Sequence, residues 1–103
     1  MIRQFDVYRN PSEKTRKAYP RLVILQHDSV LETDDVIVAP LIPPVPTGQS
    51  RLFPVFALDS GPVMLLTTLI AAVPRKAIKR KERSLGEERD RIIAALDLLF
   101  AGS

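Results

Sequence analysis

Hydrophobic and polar positions alternate near the start of the chain in a pattern typical of a β-strand. Within residues 2–8, Phe5 and Val7 fall on one face, which predicts a half-buried first strand. Residues 22–25 are apolar on both faces, as expected for a strand that is covered on both sides, so a second strand is predicted over 21–28. The same analysis predicts further strands at 36–42, 51–59 and 62–68.

The segments between these strands are rich in proline and charge. Residues 9–21 hold two prolines and five cations without periodicity, which predicts a long exposed loop. Residues 32–35 favour a turn, and the proline-rich segment 43–50 favours a surface loop or a short edge hairpin. Pro40 lies inside a predicted strand, where it indicates a sheet edge or a bulge because it has no N–H to donate. The segment 62–68 carries both helix-like and strand-like signals and is interpreted as a strand.

The last segment of the chain has the spacing of an amphipathic helix. Ser84 and Glu87 are three residues apart, the spacing of a capping box, so a helix is predicted over 85–100. Its apolar positions recur at helical intervals and are Leu85, Ile92, Ile93, Leu96, Leu99 and Phe100. The sequence therefore predicts a mainly β fold that ends in one α-helix.

Composition limits the protein class. A chain of 103 residues with 46% hydrophobic residues can bury roughly two-thirds of its unfolded surface, enough for one domain over 1–103. The absence of cysteine excludes disulfides, thiolate zinc sites and thiol nucleophiles. The first residues lack the apolar region of a signal peptide, and no apolar run approaches the roughly 20 residues of a membrane span. We therefore expect a cytoplasmic protein without a membrane partner.

Positive charge is concentrated in one run. The net charge is +3, but residues 75–83 alone hold six cations and one anion, a local charge of +5. This basic patch comprises Arg75, Lys76, Lys79, Arg80, Lys81 and Arg83. It is either a solvated linker before the helix or a surface for nucleic acid. Because no aromatic residue lies within the run, base stacking is not available there, and we predict against direct nucleic-acid binding.

Residues with catalytic potential are few. His27 is the single histidine, and no nucleophile or carboxylate of recognised spacing accompanies it, so we interpret it as a residue at a strand end. Asp34 and Asp35 are adjacent, which sends their side chains apart and favours turn formation over metal binding. No glycine-rich phosphate loop is present. The sequence thus predicts a protein that is not an enzyme and needs neither cofactor nor metal.

Five segments follow one another along the chain: "QFDVYRNP", "RLVILQHDSVLET", "VIVAPLIPP", "LFPVFALDSGPVMLLTTLIAAVP" and the terminal "LDLLF" followed by a glycine two residues later. In this order they resemble the CcdB family of plasmid and chromosomal toxins. The resemblance covers nearly the whole chain. It implies a dimeric SH3-like antiparallel β-barrel with a small extra sheet and one C-terminal helix.

The resemblance also implies a function and a site. Members of the family poison DNA gyrase by binding its A subunit, support plasmid maintenance, and are neutralised by a cognate antitoxin. Carried over to this sequence, the gyrase-binding positions are Asp28, Val30, Leu31, Asp97, Phe100, Ala101, Gly102 and Ser103. The resemblance places a homodimer seam beside the helix end, where Leu98, Leu99 and Phe100 supply apolar surface.

The end of the chain departs from the family pattern. The family usually ends in Trp-Gly-Ile, whereas this chain has Ala101, Gly102 and Ser103. Two alternatives therefore stand beside an active gyrase toxin. One is a disarmed relative that binds antitoxin but not gyrase, and the other is a nucleic-acid-binding SH3-like barrel that uses residues 75–83.

Overall fold

The protein consists of seven short strands and a single α-helix at the end of the chain. The computed structural model describes residues 1–103. The strands are β1 (Asp6–Arg9), β2 (Arg21–Ile24), β3 (Asp35–Ile42), β4 (Val55–Leu58), β5 (Gly61–Leu65), β6 (Ala71–Pro74) and β7 (Lys81–Ser84), and the helix α1 spans Arg89–Ala101. Four 3-10 turns lie at Asp28–Val30, Thr67–Leu69, Arg75–Ala77 and Gly86–Glu88. The prediction of a mainly β fold with one C-terminal helix is confirmed.

The strands form one curled antiparallel sheet around the long strand β3. The order along the sheet is β4-β5-β3-β2-β1-β7, and β6 pairs with the first half of β3. Pro40 does not mark an edge, because β3 is central and Pro40 faces Leu22 of β2. On its other side β3 changes partner, from β6 at Asp35–Val38 to β5 at Leu41 and Ile42. Pro40 lies between these two pairings, where no ladder needs its missing N–H.

The first strand begins later than the alternation predicted. Residues 3–6 form a turn in which the Asp6 N–H donates to the Arg3 carbonyl over 3.1 Å. The Arg3 N–H donates in return to Asp6 Oδ2, also over 3.1 Å. Phe5 takes a left-handed backbone with φ of 67°, which is strained for a residue with a side chain. The strand therefore starts at Asp6, while Phe5 still points into the core with 1% of its surface exposed.

The predicted strand over 62–68 ends at Leu65. Thr67 leaves the ladder and enters a 3-10 turn, where its buried hydroxyl donates to the Leu52 carbonyl over 2.7 Å. A threonine hydroxyl that finds a backbone acceptor outside the sheet offers the chain an alternative to β pairing. Residues beyond the turn return to the sheet as β6.

The predicted capping box is wrong. Ser84 belongs to β7, where it pairs with Asp6, and its hydroxyl accepts from the Gly86 N–H over 3.0 Å rather than from Glu87. The residue before α1 is Glu88, which makes no side-chain cap hydrogen bond. The helix therefore starts at Arg89, not at 85.

The basic run is not a solvated linker. Its first residues form a 3-10 turn and its last form β7, which pairs with β1 at the edge of the sheet. Ile78 between them is only 7% exposed and joins the core. The run is thus part of the folded domain. Its cationic side chains extend from backbone that the 3-10 turn and β7 hold in place.

Two apolar clusters fill the interior. The larger contains Phe5, Val7, Val23, Leu25, Ala39, Leu41, Phe56, Val63, Leu65, Leu85 and Ile92. The helix packs on this cluster through Ile92, with Ile93 and Leu96 partly buried beside it. The smaller cluster contains Tyr8, Leu22, Ile24, Leu31, Val36, Val38 and Ile78. The prediction that residues 22–25 are buried is confirmed, because successive side chains of β2 enter different clusters.

Candidate functional site

The last turn of α1 presents an open apolar surface. Leu98 and Leu99 are half-buried, whereas Phe100 is 74% exposed, the most of any aromatic side chain. Asp97 is exposed on the same turn. Exposure of a phenyl ring costs free energy that a binding partner would recover. This turn holds all three residues predicted for the dimer seam, and the homodimer stays a prediction.

The residues after Phe100 are positioned by Gly102. Ala101 is the last helical residue, and Gly102 follows it with φ of 78°, a left-handed conformation that glycine adopts without strain. The Gly102 N–H donates to the Leu98 carbonyl over 3.0 Å and closes the helix. Ala101, Gly102 and Ser103 are all exposed. The glycine retained from the family motif therefore turns the chain away from the helix axis.

The other predicted group follows β2. Asp28 opens the 3-10 turn Asp28–Val30, and its Oδ1 accepts from the Gln4 N–H over 2.7 Å. That hydrogen bond is the main reason the pKa of Asp28 lies below its ordinary value of 3.8, and the charge of Arg3, 3.4 Å away, lowers it further. Val30 is 53% exposed, but Leu31 is only 6% exposed and belongs to the smaller core cluster. Leu31 thus contributes to packing and leaves little side-chain surface for a partner.

The two predicted groups lie toward opposite ends of the helix. Asp28 accepts a hydrogen bond from the Gln4 N–H. The side-chain oxygen of Gln4 in turn accepts one over 2.7 Å from Arg89, the first residue of α1. Phe100 lies near the other end, about 16 Å further along the axis at a rise of 1.5 Å per residue. One protomer therefore does not gather the eight predicted gyrase-binding residues into one site.

The basic patch is divided by the fold. Lys81 forms an ion pair with the buried carboxylate of Asp6, 3.3 Å away, and Arg83 is half-buried, with its Nε lacking an acceptor. Lys76, Lys79 and Arg80 instead line a concave surface of about 330 Å³. We call this concavity the basic pocket. Its remaining lining residues are Arg9, Asn10, Pro11, Arg16 and Ala77.

Sequence reasoning missed Arg9 and Arg16 as members of this pocket. They belong to the predicted loop 9–21, whose five cations were the available signal. The pairing of β1 with β7 brings that loop beside the basic run, and the Arg9 N–H donates to the Arg80 carbonyl over 2.9 Å. A contact between residues so far apart in the chain has no local sequence signature.

A second concavity is mostly apolar. It has a volume of about 420 Å³ and lies between the loop after β1 and the sheet residues of β2, β3 and β6. Its lining includes Tyr19, Leu22, Leu69 and Val73, together with the rim of the loop. We call it the apolar groove. It carries no charged side chain, in contrast to the basic pocket.

The residues with catalytic potential serve local structure. His27 Nδ1 accepts from the Ser29 N–H over 3.1 Å and caps the 3-10 turn, as its interpretation as a strand-end residue suggests. Asp35 begins β3, and the Asp34 carbonyl accepts from the Arg75 N–H over 2.8 Å. No three His, Asp or Glu side chains lie together in an arrangement that could hold a metal. No helix is long and apolar enough to cross a membrane.

Comparison with known families shows to which family the chain belongs. The family model described as CcdB protein matches residues 4–102, essentially the whole chain. The chain belongs to the CcdB family. The resemblance seen in the sequence is confirmed, and with it the assignment to the toxin side of a toxin–antitoxin module.

A solved structure shares the CcdB-type fold at low sequence identity. It is described as an endoribonuclease in complex with its cognate antitoxin from Mycobacterial species. It superimposes with a TM-score of 0.76 and 13% identity, covering 98% of this chain and 96% of the other. No curated protein sequence matches this chain at a significant level. The similarity to the endoribonuclease is therefore one of fold.

Proposed function

We propose that this CcdB-family protein inhibits DNA gyrase by binding the A subunit, and that a cognate antitoxin neutralises it. The observation that supports the proposal is the end of α1, where the family's gyrase contact is expected. Phe100 is 74% exposed there, and Gly102 keeps the left-handed turn that directs the residues after the helix. Because gyrase acts on chromosomal and plasmid DNA, the proposal places the toxin in the bacterial cytoplasm.

We propose binding rather than catalysis as the mechanism. His27 is engaged as a cap with Ser29, and it lies on the turn after β2 rather than at the helix end. The exposed surface at the end of α1 consists of apolar and small side chains, with Asp97 as its charged member. Such a surface contributes to binding by burying apolar area against a partner.

The missing anchor sets the expected strength of the interaction. Ala101 occupies the position where the family usually has tryptophan, and its methyl group buries far less surface in a partner's pocket. Loss of an interface anchor costs about 2 kcal/mol or more, which is about thirtyfold in affinity. We therefore propose a weaker gyrase ligand than a family member that carries the anchor.

The experiment that tests this proposal is Ala101→Trp. We expect binding to the purified gyrase A subunit to tighten by about tenfold or more, with a matching increase in growth arrest on expression. Ala57→Trp is the matched control, because Ala57 is an exposed alanine of β4 and belongs to no element that carries a predicted gyrase-binding residue. The control should leave gyrase binding unchanged.

Expression in cells with a gyrase A subunit resistant to the family's toxins separates the outcomes. Arrest that persists in the resistant cells would show another target and overturn the gyrase proposal. No arrest by the natural chain, combined with arrest by Ala101→Trp in sensitive cells alone, would identify a disarmed toxin with an intact scaffold. A gain by Ala57→Trp equal to that of Ala101→Trp would mean that the effect of the tryptophan does not depend on the helix end.

The antitoxin partner is proposed on the family membership and on the fold neighbour, whose description includes a cognate antitoxin. The genome offers a direct test. We expect a short reading frame beside this gene that encodes a DNA-binding N-terminal region and a charged C-terminal tail. Co-expression of its product should abolish growth arrest, and failure to rescue would remove that protein as the partner.

A further inference from the structure

The basic pocket brings together cations that form no ion pair within the chain. Its walls carry Arg9, Arg16, Lys76, Lys79 and Arg80, and none of these side chains forms an ion pair. No carboxylate lines the pocket. Without those five residues, the fifteen Lys and Arg residues of the chain fall to ten, fewer than its twelve Asp and Glu residues. The net positive charge of the protein is therefore located at this pocket.

The pocket is built by a rigid loop. Asn10 is only 3% exposed, and its Nδ2 donates to Thr15 Oγ1 over 2.9 Å and to the Tyr19 carbonyl over 2.8 Å. Its Oδ1 accepts from the Ser12 N–H over 2.9 Å, so every polar atom of this amide is used. Asn10 thus fixes the shape of the loop that forms one wall of the pocket.

The same loop orients one of the cations. Arg16 donates from Nε to the Asn10 carbonyl over 2.7 Å and from Nη2 to the Pro11 carbonyl over 3.1 Å. These bonds hold the guanidinium in place and leave Nη1 free to donate. An arginine that is already ordered loses less conformational entropy when it binds an anion.

The residues that line the basic pocket are better suited to bind phosphate than to bind a peptide. Apart from Pro11, the one apolar side chain in the pocket is Ala77, so a peptide would find no cavity for an apolar anchor. Phosphate groups are recognised by clustered Lys and Arg and need no such cavity. We propose that the basic pocket binds the phosphodiester backbone of nucleic acid.

This site differs from the nucleic-acid surface considered from the sequence. The run 75–83 lacked aromatic residues for base stacking, and the pocket lacks them too. Contacts to phosphate need no stacking, but they carry no sequence information. The proposed binding is therefore independent of sequence and strongly dependent on salt. It is also independent of the gyrase proposal, because the pocket lies on the β1–β7 side of the sheet and uses no residue of the helix end.

The test measures fluorescence anisotropy of labelled oligonucleotides with the purified full-length protein. Lys76→Gln/Lys79→Gln removes two charges from the pocket, and Lys17→Gln/Arg51→Gln removes two exposed charges that do not line it. For duplex DNA the slope of log affinity against log salt should fall by about 1.8 in the pocket variant, or about 1.4 for a single strand. At about 50 mM salt its affinity should fall about tenfold, and the control should change by less than about twofold.

Each outcome decides between explanations. Retained binding in the control with loss in the pocket variant supports the proposal, and the duplex and single-stranded probes, in DNA and RNA, show which backbone fits best. Equal losses in both variants would mean attraction to net charge alone and would overturn it. Absence of binding by the unaltered protein at about 50 mM salt would overturn it as well. Tighter pocket-dependent binding of an oligoglutamate of equal charge would assign the pocket to an acidic peptide instead.

Discussion

The helix end and the basic pocket differ in how firmly the fold holds them. At the helix end, one backbone hydrogen bond from Gly102 to Leu98 orders the final residues, and Phe100 lies open to solvent. At the basic pocket, Asn10 and Arg16 make five side-chain hydrogen bonds within one loop. The pocket is held by side-chain hydrogen bonds within a single chain, whereas the helix end leaves its largest apolar side chain uncovered.

This difference assigns different physical roles to the two regions. An exposed apolar ring at the end of the helix favours a protein partner that buries it, because burial of apolar area is the main source of affinity there. A cluster of cations on a fixed backbone, with Arg16 already held by hydrogen bonds, favours a highly charged ligand, because little of the protein must be ordered on binding. The sharpest experiments are those that alter one region and leave the other unchanged.

The largest effect is expected from Phe100→Ala on the predicted homodimer. In a symmetric dimer each substitution occurs twice, so two anchors worth about 2 kcal/mol each are lost. The dimer dissociation constant should therefore rise by about 1000-fold. Light scattering or sedimentation at micromolar concentration measures the change, and oligonucleotide binding at the basic pocket should persist.

Val45→Ala is a suitable control for that experiment, because Val45 is 52% exposed in the loop 43–50 and is not among the residues predicted for the dimer seam. It should leave the dimer intact. If the unaltered protein itself shows a mass near 11.5 kDa, the homodimer prediction is wrong.

The second largest effect is expected from Asn10→Ala, which disrupts the loop that forms one wall of the basic pocket. The substitution removes three side-chain hydrogen bonds of a buried amide, so we expect the free energy of unfolding to fall by about 3 kcal/mol. Urea denaturation measures this loss. Because the loop then no longer positions Arg16, oligonucleotide affinity should fall even in the fraction that remains folded.

Ser12→Ala provides the matched control, since the Ser12 side chain is exposed and only its backbone N–H bonds to Asn10. Its unfolding free energy should stay within about 0.5 kcal/mol of the natural protein. A similarly small change for Asn10→Ala would show that the loop does not depend on Asn10 for its shape.

The sequence predicted the fold better than it predicted the boundaries of its elements. Strong local patterns succeeded, such as the apolar run 22–25 and the spacing of Ile92 and Leu96 along α1. The failures have tertiary causes. Phe5 adopts a left-handed backbone to fill the core, and Ser84 pairs with Asp6 in the sheet and so cannot cap the helix. Neither constraint is visible in the residues adjacent to the error.

The helix end and the basic pocket also differ in how well the sequence predicted them. The helix end could be predicted because its residues are contiguous and match a family motif. The basic pocket could not, because Arg9 and Arg16 join Lys76, Lys79 and Arg80 only through the pairing of β1 with β7. The composition of residues 75–83 also suggested more unpaired positive charge than the structure contains, because Lys81 forms an ion pair with Asp6.

The smallest effect is expected at Asp28, a predicted gyrase-binding residue that the fold already uses. The hydrogen bond from the Gln4 N–H, aided by the charge of Arg3, holds the pKa of Asp28 below 3.8. A carboxylate with a lowered pKa adds stability above its unfolded value, and this is lost as the pH falls through the lowered pKa. Asp28→Asn should therefore lower the Tm at neutral pH, and the gap should close below pH 3.8. Thermal melts across that range measure it. Glu32→Gln, which removes an exposed carboxylate that forms no ion pair, should not reproduce the closing gap. A gap that widens in acid would contradict the assigned role of Asp28.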